Sequence, residues 1–324
     1  MKHLGMKYRG FKFRGIVVML VLALSLTGCS QKSDTIKYGA DAATYLKELD
    51  EMGARVAGTA SEVAGADYIE SALTEMGYDV SRVAFEYDDS GMKKSENIIV
   101  EKKGTGDGTV IVGAHYDSMD SANGVDDNGS GVAVLLEAAK SISKAKPIQT
   151  VKFVFFGAEE VNLLGSDEYA SQMSAEEIAD TVLMINFDSL VAGDISYVYG
   201  NSDENGKYRE HTLELAKLEN LALVTQEGNN PEFERGITGP WSDHAPFEAL
   251  GIPFIYFEST NWNYGEQDGY TQVEPKYGDS GEIWHTEYDT YAYIEKTFPG
   301  RIDDRLELFS TVLYKLLVQD LSDL

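Results

Sequence analysis

Thr109-Val-Ile-Val-Gly-Ala-His-Tyr-Asp117 runs a stretch of β-branched and small apolar residues straight into an imidazole and a carboxylate. Short apolar runs of this kind predict buried strands. The arrangement recurs twice, where Val151 to Phe156 leads to Glu159 and Glu160, and Val182 to Phe187 leads to Asp188. Further strand-like runs lie at Asn97 to Val100, Ile195 to Tyr199 and Ile252 to Phe257. Helical periodicity appears twice between Asp41 and Tyr78, and again at Gly129 to Ser143, Gly165 to Met173, Tyr208 to Asn220, Ala245 to Leu250 and Arg301 to about Leu321. Strands alternating with helices predict an α/β fold, a three-layer αβα arrangement with a central, mostly parallel mixed sheet in a single domain. In the three runs that carry chemistry, the reactive residues follow the C-terminal end of the strand, the edge where open α/β sheets gather ligands.

The inventory at that edge is specific. His115-Tyr-Asp117, Asp126-Asp-Asn-Gly-Ser-Gly131, Ala158-Glu-Glu160, Asn186-Phe-Asp188 and Trp284-His-Thr-Glu-Tyr-Asp-Thr290 together supply three carboxylates and two imidazoles suited to a pair of zinc-like ions. Asp117, two residues after His115, shares its face and is a candidate acceptor for the second imidazole N–H. The Asp126 to Gly131 segment also fits a surface turn that caps a helix. A helix start preceded by two acids can nonetheless present one carboxylate inward to bridge two cations, and Asp127 is the candidate. Of Glu159 and Glu160, one carboxylate would hold metal while its neighbour takes a proton from water and passes it to a departing amine.

The order and wording of these phrases resemble the M28 family of zinc aminopeptidases, over the chain from about Arg55 to Thr290. Arg55-Val-Ala-Gly-Thr59, Leu164-Gly-Ser166 and Ser242-Asp-His-Ala-Pro-Phe247 match as well. The resemblance implies a zinc-exopeptidase-like fold and two zinc ions, with other divalent ions possible. It puts His115 and Asp188 on separate metals, Asp127 between them, Glu160 and His285 completing the coordination, and Glu159 as general base. The implied activity is hydrolysis of the N-terminal peptide bond of a peptide with a free N-terminus by metal-activated water, with Asp117 assisting at the catalytic site. Asp289, four residues from His285, is expected to orient it, with a helix cap as the alternative. Trp241, His244, Phe247 and Tyr256 are expected to line a side-chain pocket, ordinary packing being the competing reading. His3 and His211, the latter on an apparently solvated helix face, receive no role.

Met1 to Arg14 carries five basic residues and no acid, and the apolar stretch Ile16 to Leu26 leads into Leu26-Thr-Gly-Cys29, which resembles a bacterial lipobox. Residues 1 to 28 are therefore expected to be a lipoprotein signal peptide, 29 to 40 a lipidated N-terminus and tether, and 41 to 324 the metallopeptidase domain. Cys29 is the only cysteine, which leaves no disulfide or thiolate metal site for the folded domain. Lipid on Cys29 would anchor the chain to the bacterial cell membrane with its catalytic domain facing outward, extracellular or periplasmic. Beyond residue 28 there remain 22 Lys and Arg against 54 Asp and Glu, a surface that excludes nucleic acid as a partner. Nothing in the sequence sets an oligomeric state.

Three other readings compete. A glutaminyl-cyclase-like acyltransferase with one zinc is compatible with His115-Tyr-Asp-Ser and Ile283-Trp-His-Thr, but the intact Asp126 to Gly131 phrase favours the two-metal hydrolase. A carboxypeptidase-type relative would need a cation for the substrate carboxylate, and Arg235 is the obvious candidate in the late region. A non-catalytic peptide- or metal-binding lipoprotein has no use for a spare base at Glu159. The polar and aromatic segment Glu258 to Glu282 is expected to form a lid, a calcium-binding loop or a partner surface.

Overall fold

Val151, Phe153 and Phe155 turn to one face of the sheet while Val154 and Phe156 turn to the other. The same period of two divides Leu183, Ile185 and Phe187 from Met184, and Ile255 and Phe257 from Phe254 and Tyr256. Both faces are apolar, so both must be covered, and the computed structural model shows a helical layer on each. It describes residues 38 to 322 and 324. The described residues belong to one compact unit. The expected signal peptide, Cys29 and the tether as far as residue 37 lie outside the described residues.

The elements follow in the order α1 (Ala40–Met52), α2 (Ala60–Glu75), β1 (Ser81–Asp88), β2 (Met92–Lys102), β3 (Thr109–His115), α3 (Ser130–Ile142), β4 (Thr150–Phe156), α4 (Leu164–Gln172), α5 (Ala175–Asp180), β5 (Thr181–Phe187), β6 (Ile195–Gly200), α6 (Lys207–Leu218), β7 (Leu223–Val224), α7 (Ala245–Ala249), β8 (Phe254–Thr260), α8 (Tyr291–Thr297) and α9 (Arg301–Leu317). The eight strands stand in the order β1-β2-β4-β3-β5-β8-β6-β7. The central four, β4-β3-β5-β8, are mutually parallel, while β1, β2 and β6 introduce antiparallel pairs. The chain leaves β3 for β4 on one side and then crosses to β5 on the other, so the sheet changes winding direction at β3. A crevice opens at such a point, beyond the C-terminal strand ends.

One layer is thick. There α3 packs on β3 and against α1 and α9. The apolar stripe of α9, Ile302, Leu306, Phe309, Val312, Leu313 and Leu316, is buried at helical spacing. The other layer consists of the shorter α4, α5 and α7. Among the described residues no helix is long and apolar enough to cross a membrane.

Several elements escape the sequence reading. In β1 only Phe85 and Tyr87 are buried, so an exposed edge strand lacks the continuous apolar run of the central ones. Its hairpin with β2 stretches that strand to Met92–Lys102, well beyond Asn97 to Val100. Helix α5 has no buried residue, and its signature was the capping box of Ser174 and Glu177. Helix α8 spans seven residues and β7 only two. Helix α9 ends at Leu317, short of Leu321. Three residues assigned to the tether are already part of the fold: the Tyr38 ring lies 4.8 Å from that of Tyr314, the Gly39 N–H donates to Glu137 Oε1 at 2.7 Å, and Ala40 opens α1. His211 is not simply solvated: its Nε2 lies 2.8 Å from Gln319 Oε1.

Candidate metal centre

Because β4, β3 and β5 are neighbours, their C-terminal ends set Glu159 and Glu160, His115 and Asp188 side by side. His115 ends β3 and is buried. Its Nδ1 lies 3.2 Å from the Asp117 backbone oxygen. Its buried Nε2 makes no hydrogen bond, although Asp127 Oδ1 stands 3.2 Å away and Asp188 Oδ1 3.4 Å away. A proton donated from Nδ1 leaves Nε2 a bare lone pair among carboxylate oxygens, an arrangement that calls for a cation between them.

Asp127 lies in the segment Val125–Gly129 that leads into α3, whose five residues are all buried and in which Asp127 and Asn128 depart from helical backbone angles. The segment is therefore not a surface turn, and no side chain caps α3. Its neighbours fix it: Asn128 donates to the Phe187 carbonyl at 2.8 Å and accepts the Gly131 N–H at 2.9 Å. A Cβ on Gly131 would come within 2.8 Å of that same Phe187 carbonyl, which is why glycine stands there. The Asp126 carboxylate faces away from the metal cluster and accepts the N–H groups of Val191 and Ala192 at 2.6 and 2.8 Å. Asp127 alone faces the site.

His285 comes from the long connection after β8 and is 44% exposed in its side chain, which opens it to an incoming molecule. Its Nε2 lies 3.0 Å from Asp127 Oδ2 and 3.0 Å from Glu160 Oε2. The two oxygens of Asp127 thus face two different imidazoles. Around a tetrahedral zinc with bonds of about 2.0–2.2 Å, neighbouring ligand atoms stand about 3.3 Å apart, and the N···O separations here are close to that. Ligand atoms of His115, Asp127 and Glu160, and of His115, Glu159 and Asp188, also lie within 4.8 Å of one another. Glu159 Oε2, at 3.8 Å from His115 Nε2, stands farther off than Asp127 or Asp188. The donor set fits zinc.

The electrostatics agree. Burial opposes charge on His115, yet Glu159 and Asp188 hold its imidazole well above the usual range. His285 is pushed up to about 11 by its contacts with Asp127 and Glu160. Burial raises Glu159 well above an ordinary carboxyl, and burial with Asp127 close by brings Glu160 up to about 7. Burial also works against charge on Asp127, but the two imidazoles win and hold it below the usual range. So many acids in one buried place demand fixed positive charge, which a divalent ion supplies.

Backbone geometry concentrates here too. Ala158, Ser189 and His285 adopt left-handed φ of 52°, 52° and 58°, unusual for residues with a side chain. They precede Glu159, follow Asp188 and form the late imidazole, so the unusual turns aim three of the site residues.

Two expected supporting roles change. Asp117 accepts the backbone N–H groups of Glu159 at 3.0 Å and Glu160 at 3.2 Å, so its carboxylate positions the glutamates more directly than the imidazole. Asp289 does not reach His285. It accepts the N–H groups of Asp126 at 2.6 Å and Asp127 at 3.1 Å, while Thr290 caps α8. The sequence separation to His285 was short, but the turn between them points the carboxylate into the other loop.

A cavity of about 360 Å³ adjoins the cluster, and Trp241 and Tyr256 line it as expected, with Glu258, Asp268, Tyr270 and Trp284. Phe247 and His244 do not. Phe247 is fully buried in the thinner apolar layer. His244 is stacked between Phe254 and Tyr256 at 4.7 and 4.8 Å, and burial lowers it to about 3, so it is a neutral core residue. Its phrase matters through Ser242, which donates to Asp188 Oδ2 at 2.6 Å and accepts from Asn186 at 2.7 Å. Arg235 pairs with Glu210 and does not line this cavity. Arg55 is fully buried and donates to the carbonyls of Tyr116, Asn123 and Gly124 at 2.7–2.8 Å, bracing the loop that leads to Asp127.

Sequence reasoning missed Glu62, Gln272 and Glu258. Glu62 reaches from α2 to accept the N–H groups of Gly58 at 2.6 Å and Ala158 at 3.1 Å. Gln272 donates to Asp126 Oδ2 at 2.5 Å and accepts the N–H groups of Ile283 and Trp284 at 2.8 Å, tying the segment before His285 to the Asp127 loop. Each reaches a partner far away in sequence, Ala158 for Glu62, Asp126 for Gln272 and Tyr199 for Glu258, so no local pattern marked it.

Residues 97–309 match the model of peptidase family M28. The chain is similar to the alkaline phosphatase isozyme conversion protein of Escherichia coli, 30% identical over 281 residues that cover 78% of this chain and 81% of that one. It is 30% identical to an aminopeptidase of Bacillus subtilis, covering 71% of this chain and 44% of the relative. A probable lipoprotein aminopeptidase of Mycobacterium tuberculosis is 35% identical over 114 residues, 35% of this chain and 23% of the other. Among solved structures, a zinc aminopeptidase from Bacillus subtilis superposes with a TM-score of 0.68 at 19% identity, covering 88% of this chain and 96% of that one. A glutaminyl cyclase from Porphyromonas gingivalis gives 0.62 at 23% identity, covering 86% and 98%. The fold is shared by both activities and does not separate them.

Proposed function

The chain belongs to peptidase family M28, and on that premise we propose that it is a two-zinc aminopeptidase that removes the N-terminal residue of peptides. The observation that carries this reading is Asp127, whose two oxygens stand 3.2 and 3.0 Å from the Nε2 atoms of His115 and His285. One ion would be held by His115, Asp127 and Asp188, the other by Asp127, Glu160 and His285; His115 and Asp188, expected on separate metals, would share the first, because His115 Nε2 lies 3.4 Å from Asp188 Oδ1. Zinc, when bound, supplies Lewis acidity toward the scissile carbonyl and makes water acidic enough to be a nucleophile near neutral pH.

The chain's own residues do the rest. Glu159 lines the cavity and is the residue to take the water proton and deliver it to the leaving amine, its pKa raised by burial toward the range useful for a general base. Asp117 holds the Glu159 backbone in place. Among the described residues no lysine or arginine lines the cavity, which supports a substrate presenting a cationic α-amine and speaks against the carboxypeptidase reading. The paired imidazoles around Asp127 favour two ions over the single zinc of a cyclase-like enzyme. Cys29 lies outside the described residues; the likeness to a lipoprotein aminopeptidase supports it as a lipid anchor, with residues 41 to 324 as the outward-facing catalytic domain.

The test is hydrolysis of a panel of aminoacyl-p-nitroanilides by the full chain in detergent, with chelator, with restored zinc, and in a Glu159→Gln variant. Zinc-restorable release that falls about 10²–10⁴-fold in the variant is expected. No release from the zinc-loaded wild type, with cyclisation of N-terminal glutamine instead, overturns the reading.

A further inference from the structure

Four of the six acids lining the cavity, Asp127, Glu159, Glu160 and Asp188, belong to the metal cluster. Zinc would neutralise most of their charge. Glu258 and Asp268 remain. Among the described residues neither has an ion-pair partner, and the cavity lining contains no lysine or arginine.

Glu258 is only 2% exposed, yet it borders the cavity. It lies on β8, two residues beyond Tyr256 and therefore on the same face of the sheet. Its carboxyl accepts the Tyr256 hydroxyl at 2.9 Å and the Tyr199 hydroxyl at 2.9 Å. Tyr199 in turn accepts the Trp262 indole N–H at 2.7 Å. This chain of neutral donors fixes both oxygens and brings no positive charge to them. Burying such a carboxyl is costly and burial raises it to about 8, so the carboxylate becomes the favoured form once a cation stands beside it.

We infer that Glu258 determines specificity at this cavity, selecting substrates whose N-terminal residue has a cationic side chain, arginine or lysine. The inference rests on the aminopeptidase reading and deepens it. With the substrate's α-amine and scissile carbonyl at the metal cluster, the first side chain extends into the adjoining cavity. The indole and phenol rings of Trp241, Tyr270 and Trp284 line that path, and aromatic faces suit the stem and head of a guanidinium or ammonium group. Asp268, partly buried, adds negative charge from the loop side.

The experiment compares N-terminal arginine with citrulline, and lysine with norleucine, as p-nitroanilides on the zinc-loaded full chain. Each pair keeps shape and removes charge. Arginine should exceed citrulline in kcat/KM by about 10- to 100-fold, the range of one charged hydrogen bond. In Glu258→Gln the ratio should fall to within about threefold of unity; being internal to one preparation, it is insensitive to the yield of folded variant. Where the variant does not fold, the wild-type pairs decide. Equal release from arginine and citrulline overturns the cation preference and leaves the aminopeptidase reading standing. A ratio retained in Glu258→Gln overturns the assignment to Glu258. No release from any substrate overturns both.

Discussion

Asp289 accepts the backbone N–H of Asp127 at 3.1 Å across 162 residues of sequence, and with its other oxygen the N–H of Asp126 at 2.6 Å. The carboxylate that faces both imidazoles is therefore aimed by one contributed from the far end of the chain. Removing a group that orients a metal ligand typically costs about 10- to 100-fold in affinity. Asp289→Ala should weaken zinc binding by that factor in competition with a chromogenic chelator. Asp289→Asn, which keeps one acceptor oxygen, should lose less; unchanged affinity in both variants would remove Asp289 from the site.

Asp117 occupies the equivalent position beneath the two glutamates. Its replacement by alanine frees the Glu159 and Glu160 N–H groups and lets both side chains drift. We expect kcat to fall about 10- to 100-fold with a smaller change in KM. A loss confined to KM would place Asp117 in substrate binding instead.

Zinc should stabilise the fold as well as complete the site, because it offsets repulsion among buried acids. At free zinc about 100-fold above its dissociation constant the gain is about 2.7 kcal/mol, or roughly 4–5 °C in Tm for a folded unit of this size. Calorimetry with chelator and then with restored zinc measures it. An unchanged Tm would mean that the ligands are not held together by metal.

Glu62 predicts a pH signature that needs no metal. Burial pushes its carboxyl from an ordinary 4.5 up to about 7 in the folded protein. The folded state then holds a proton that the unfolded state has released, so the stability Glu62 contributes is fully present below pH 4.5 and is lost as pH rises to 7. The loss is about 3 kcal/mol. Denaturant titrations of wild type and Glu62→Gln should diverge across that window, the variant being flatter. Parallel curves would show that Glu62 titrates normally.

The strand runs and most of the helices were legible in the sequence because burial on both faces leaves continuous apolar runs and helical stripes leave a period near 3.6. The candidate ligand residues were legible because imidazole and carboxylate directly after an apolar strand are chemically conspicuous. Glu258 was not. It looks like one more acid in an acidic chain, and its burial depends on Tyr199, Tyr256 and Trp262 arriving from other elements.

By itself, then, the sequence determined the candidate metal ligands and, for His115, the two glutamates and Asp188, that they follow the C-terminal ends of strands. Tertiary structure decided which strand ends are neighbours, through the order β4-β3-β5, and so which oxygens stand within 3–4 Å of which nitrogens. It also decided that Asp289 serves Asp127 and not His285, and that His244 and Phe247 belong to the core. Local pattern records burial and periodicity. Strand order and long-range hydrogen bonds come from packing whole layers together, and no window of sequence contains both partners.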